Sequence, residues 1–109
     1  MEKFLIKYMF GREKRLGHRR DKKIAFDVDM TLIDEHDRPI YHNINLMLWF
    51  VDRGYDVIMW SGGGVSYAEM WARKLGFEDV VRIVEKGKEE VDIAFDDETA
   101  QLGKINVEV

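Results

Sequence analysis

Apolar positions along the chain gather in short runs at residues 23–28, 56–60, 80–84, 91–95 and 105–109, each bounded by charged or glycine-containing stretches. The first two runs, short and without polar alternation in their apolar part, predict strands buried on both faces, the pattern of a parallel sheet, and the later runs predict further strands of it. Between the first two runs, Asp34, Asp37 and Pro39 mark a turn-rich excursion over residues 30–43 with a small hairpin. Asn43 is the expected N-cap of a helix that carries Leu46, Met47, Trp49, Phe50 and Val51 and stops at Gly54. A second helix is expected over residues 65–75, closed by Gly76. Its stripe of Tyr67, Met70, Trp71 and Leu75 falls at helical spacing and reads as packing. Residues 98–102 form a short turn or helix, and the last run makes an edge strand. Strands alternating with helices predict an α/β fold: a doubly wound, Rossmann-like parallel sheet of about five strands joined by right-handed crossovers.

The polar residues that follow these runs carry the chemistry. Asp27 and Asp29 follow the first, Ser61 the second, Lys86 the third, and Asp96 and Asp97 the fourth. In a parallel sheet all these ends lie on one side, where ligands bind. Alternate strand residues point to opposite faces, so Asp27 and Asp29 share a site only if the chain curls tightly after Asp27. A lone acidic pair is ordinary in a turn. Carboxylates, a hydroxyl and an ammonium delivered to one rim by separate strands are not. Clustered anions repel unless a cation sits among them, and Mg2+ prefers oxygen ligands. Ser61 and the amides of Gly62 and Gly63, just before a helix, suit phosphate oxygens. A carboxylate nucleophile beside a metal, with a second carboxylate to give and take a proton, is equipment for phosphoryl transfer through an aspartyl-phosphate.

Taken in order, Asp27-x-Asp29-x-Thr31, Ser61, a lysine and Asp96-Asp97 resemble the four motifs of the haloacid dehalogenase superfamily over residues 22–98. The resemblance implies a nucleophile and metal ligand at Asp27, and a general acid/base at Asp29 with its backbone carbonyl on Mg2+. It implies a brace for the turn at Thr31, which also borders the substrate, and phosphoryl binding by Ser61, Gly62, Gly63 and Lys86. Asp96 and Asp97 would anchor the metal, and either can be the direct ligand. Lys86 lies nearer the strand end than Lys88 and is preferred. Met30 stands where the superfamily often has glycine. The second aspartate marks phosphatases over dehalogenases, and the connections at 32–43 and 85–90 are too short for a cap domain. Capless members take large phosphorylated substrates such as phosphoproteins or nucleic-acid ends, or borrow a lid from a neighbouring subunit, so a homo-oligomer is compatible.

At 109 residues without cysteine, the chain is long enough for a single core at residues 21–109 and holds neither disulfide nor thiolate zinc. No apolar run spans a membrane, and Glu2, Lys3 and Lys7 interrupt any leader-peptide core, so a soluble cytoplasmic protein is expected. The net charge of -4 conceals an asymmetry. Residues 1–23 carry nine Lys/Arg against three acids, and the remainder eight against eighteen. A basic arm over residues 1–20 can draw in nucleic acid, or fold onto its own acidic body. His18, His36 and His42 read as surface or turn residues, and Asp52, Asp56, Glu89 and Glu90 as solvated faces. The rival function is a non-catalytic phosphate- or nucleic-acid-binding module on the same fold. A phospho-receiver domain would place its acidic pair and its phosphoacceptor in a different order.

Overall fold

The computed structural model describes residues 19–109, with side chains from residue 22 onward. In chain order the elements are β1 (Arg19–Asp27), α1 (Tyr41–Asp52), β2 (Tyr55–Trp60), α2 (Val65–Leu75), β3 (Arg82–Ile83), β4 (Val91–Asp96) and β5 (Gly103–Glu108). The strands form one sheet in the order β3-β2-β1-β4-β5, with every pair parallel. This is the expected Rossmann-like sheet without a cap, and β5 lies at its edge. The basic arm expected over residues 1–20 lies outside the described residues as far as residue 18; β1 already includes Arg19 and Arg20.

β1 is central because Ile24, Ala25 and Phe26 offer apolar groups to both faces. Ile24 and Phe26 join Val57, Met59 and Phe95 in the larger core, which both helices cover. Ala25 faces the other way with Ile58, Trp60 and Ala94, in a smaller cluster bordered by Val84 and Leu102. α1 buries Ile44, Met47, Leu48 and Val51 at helical spacing, and α2 buries Ala68, Trp71, Ala72 and Leu75. Gly76 closes α2 in the left-handed conformation (φ 86°), with Arg73 and Lys74 in the last turn facing the negative helix end.

Within the larger core, Phe26 and Phe95 are register partners whose rings stack at 4.6 Å and 14°. Each buried phenyl contributes roughly 1.5–3 kcal/mol, and a ring pair about 0.5–1.5 more. The stack fixes β1 against β4 one residue before each strand delivers its aspartate.

Several local expectations change. Asn43 does not cap α1: the helix starts at Tyr41 after extended Ile40, whose carbonyl accepts the first intrahelical bonds. The Asn43 side chain instead donates to the Thr31 carbonyl at 2.9 Å. β3 shrinks to two residues because the amides of Val80 and Val81 turn back to the Phe77 carbonyl. Residues 98–102 hold no helix; Asn106 Oδ1 accepts the amides of Leu102 and Gly103 there, each at 2.8 Å. Asp56 and Glu89 are not simply solvated. Arg82 grips Asp56 with two bonds of 2.8 Å and Glu89 Oε2 at 2.6 Å, and Lys23 reaches the same Glu89 oxygen at 2.9 Å. These cations, Arg82 first, hold the Glu89 carboxyl well below its ordinary range.

Candidate functional site

From β1 the chain adds β2 and β3 on one side, then returns to place β4 and β5 on the other. The crevice outside the carboxyl ends of β1 and β4 is therefore the switch point where α/β sheets bind ligands. Asp27 is the last residue of β1 and Asp96 the last of β4. On the far side of β1, Trp60 pairs with Asp27, so Ser61 follows immediately beyond.

Carboxylate oxygens of Asp27, Asp96 and Asp97 lie within 4.8 Å of one another; the first two residues are buried and Asp97 is half-buried. At an effective dielectric of about 20, each such pair of charges repels by at least roughly 3 kcal/mol. Among the described residues Lys86 is their counterion: its Nζ lies 3.1 Å from Asp27 Oδ1 and 2.8 Å from Asp96 Oδ2. This assigns the rim lysine to Lys86 over Lys88. Burial pulls the Lys86 ammonium down, but its contacts with Asp96 and Asp27 outweigh burial and raise it above its ordinary value. One ammonium is not enough for Asp27. Burial first, then the Asp96 charge and an Asp97 hydrogen bond, push its carboxyl up to about 6 against the pull of Lys86.

These residues fit a divalent cation. All donors are oxygens, and Lys86 cancels one of the three negative charges, leaving the two that such an ion balances. Asp96 Oδ1 accepts the Glu98 amide at 3.0 Å, while its buried Oδ2 has the Lys86 ion pair but no directed hydrogen bond.

The tight curl expected after Asp27 is present: the Val28 carbonyl accepts the amides of Thr31, Leu32 and Ile33 at 2.9–3.2 Å. Beyond it, bonds from Asp34 N to the Arg38 carbonyl and from Ile40 N to the Leu32 carbonyl form the expected small hairpin. Asp34 Oδ1 holds its tip by accepting the amides of His36 and Arg38. Thr31 is completely buried, and its hydroxyl has no hydrogen-bond partner. It braces the turn through its carbonyl and does not reach a substrate, a correction to its expected second role. Met30 sits in the left-handed region (φ 64°), which explains why glycine suits this position. That conformation costs a side-chain-bearing residue about 1–2 kcal/mol, partly offset by the greater unfolded-state freedom of glycine, about 0.5–1 kcal/mol. Met30→Gly is expected to hold or slightly raise the urea midpoint, and β-branched Met30→Val to lower it; equal midpoints would deny the strain.

Asp29 is exposed, and its carboxylate lies outside the three-acid cluster. Tyr67, in the first turn of α2, donates its hydroxyl to Asp29 Oδ1 at 2.6 Å. This bond, then partial burial, raises the phenol above its ordinary range. Sequence reasoning assigned Tyr67 to packing and missed the contact. The available signal was its place in the turn following Ser61-Gly62-Gly63-Gly64, since helical side chains lean toward the N-terminus.

Ser61 is buried, and its Oγ accepts the Gly63 amide at 2.9 Å, which leaves the hydroxyl proton for an acceptor in the crevice. Gly62 has open space where a Cβ would stand. At Gly63 a Cβ would come within 3.3 Å of both Ser61 Oγ and the Tyr67 ring, so glycine lets that ring lie against the loop. His36 and His42 are exposed, as expected. Among the described residues no helix is long and apolar enough to cross a membrane. Comparison with protein-family models, curated proteins and solved structures yields no match.

Proposed function

We propose that this chain is a cytoplasmic, magnesium-dependent phosphomonoester hydrolase of the capless haloacid dehalogenase type. The observation that carries the proposal is the juxtaposition at the switch point: Asp27, Asp96 and Asp97 around one locus, with Lys86 between the first two. Asp27, Asp96, Asp97 and the Asp29 backbone carbonyl would hold Mg2+, which would supply neutralising charge to the phosphoryl oxygens.

In the proposed reaction an Asp27 carboxylate oxygen attacks phosphorus and the bond to the leaving oxygen breaks. Asp29 gives that oxygen its proton. Asp29, now ionised, takes a proton from water as the water oxygen attacks the aspartyl-phosphate, releasing inorganic phosphate and restoring the Asp27 carboxylate. Ser61 and the amides of Gly62 and Gly63 orient the phosphoryl group before the positive end of α2, and Lys86 offsets its charge. Phosphate monoesters hydrolyse extremely slowly without a catalyst, so charge offset of this kind has a large barrier to lower.

The open rim and the basic composition of residues 1–23 favour a large anionic substrate, with nucleic-acid ends ahead of phosphoproteins. With the full chain, oligonucleotide affinity is then expected to fall steeply as salt rises from about 50 to 200 mM, as phosphate contacts require. A flat salt dependence would direct attention to small phosphate esters. The enzymatic reading itself is tested by magnesium-dependent release of phosphate from a simple aryl ester, with Asp27→Asn as the blank.

A further inference from the structure

Tyr67 and Asp29 are 38 residues apart, yet the bond between them is short and joins the loop after β1 to the first turn of α2. We infer that Tyr67 is a positioning residue that holds Asp29 so that its other carboxylate oxygen, Oδ2, exchanges the proton with substrate and water. This rests on the hydrolase reading given above. Because Tyr67 occupies Oδ1 as a donor, that oxygen serves as acceptor whether Asp29 is ionised or protonated on Oδ2. The bond therefore persists through both halves of the reaction. In the first, the proton on Oδ2 passes to the leaving oxygen as the phosphorus–oxygen bond breaks. In the second, Oδ2 takes a proton from the attacking water.

An exposed aspartate just before a left-handed residue otherwise has free rotamers, and only the oriented one places its proton on the leaving group. The phenol is fixed in turn: its ring lies against Gly63, on the first turn of a helix anchored by buried Ala68 and Trp71. The rigid α2 scaffold thus sets the geometry of a side chain carried by a loop.

The test is a series of magnesium-supported esters running from 4-nitrophenyl phosphate, whose leaving group needs little protonation, through phenyl phosphate to an alkyl phosphate, whose leaving group needs it fully. Tyr67→Phe is expected to lower kcat on the alkyl ester by about tenfold, part of the 10²–10⁴ a general acid supplies, with KM little changed. On 4-nitrophenyl phosphate the pre-steady-state burst of nitrophenolate, which reports the first half alone, should slow by under about twofold. In an Asp29→Asn background, Tyr67→Phe should add nothing, because the tyrosine acts through the aspartate. Equal losses along the series, or additive losses in the double variant, would assign Tyr67 to packing alone and overturn the inference while leaving the hydrolase intact. If the wild type turns over none of the esters above the Asp27→Asn background, the hydrolase reading and this inference fall together. A thermal melt of each variant separates misfolding from mispositioning, and rescue of the alkyl-ester rate by Tyr67→His, another ring donor, would support the hydrogen bond as the cause.

Discussion

Asp27→Asn is expected to reduce magnesium-dependent turnover by at least about a thousandfold, because a carboxamide is no nucleophile toward phosphorus and the neighbouring Asp96 and Asp97 are engaged as metal anchors in the proposed reaction. The same substitution is expected to stabilise the metal-free fold near neutral pH. In the folded chain the Asp27 carboxyl sits at about 6, against 3.8 ordinarily, so folding favours its protonated form. For an acid raised in this way, the contribution to stability is fully present below about 3.8 and is lost as pH rises through about 6. With EDTA present, the Tm of the wild type should therefore fall relative to Asp27→Asn between pH 4 and pH 7, and the difference between the two isolates this carboxyl from all other acids. Parallel profiles would mean that Asp27 is not held against charge by the fold. An inactive but more stable variant is the signature of a site assembled for chemistry at the expense of stability.

Mg2+ is expected to raise the Tm of the wild type at pH 7.5 by roughly 10 °C. At a hundredfold excess over Kd a ligand adds about 2.7 kcal/mol, and a domain of this size gains about 4 °C per kcal/mol. The cation would relieve the mutual repulsion of Asp27, Asp96 and Asp97, which Lys86 offsets only in part. Asp96→Asn should remove most of the shift. That variant leaves the Phe26–Phe95 stack intact, so its own metal-free melt provides the reference. A wild-type melt indifferent to Mg2+ would remove the metal centre from the proposal.

The outline of the fold and most of the rim were legible because both arise from short-range patterns. Ile24, Ala25 and Phe26 read as a two-faced strand whatever surrounds them, and a parallel sheet then collects Asp27, Ser61, Lys86 and Asp96 without further information. What was not legible depends on partners far along the chain. Asn43 has the composition of a cap, but the Thr31 carbonyl competes for its amide, and only the folded loop reveals that competitor. Tyr67 fits a packing stripe by period alone, whereas its hydroxyl belongs to the crevice. Asp56 and Glu89 look solvated until Arg82 is placed between them. Arg82 itself sits in a run whose first residues were needed for a turn, which periodicity does not distinguish from a strand start.

The position of β1 between β2 and β4 has a consequence for synthesis on the ribosome. β2 follows β1 closely in the chain, but β4, which brings Asp96, emerges only after β2, α2 and β3 have been made. A nascent or prematurely terminated product lacking β4 would leave one flank of β1 without its neighbour, an invitation to pair with another chain. It would also lack Asp96 and Asp97, so the three-acid cluster of the crevice would assemble only once β4 has joined β1.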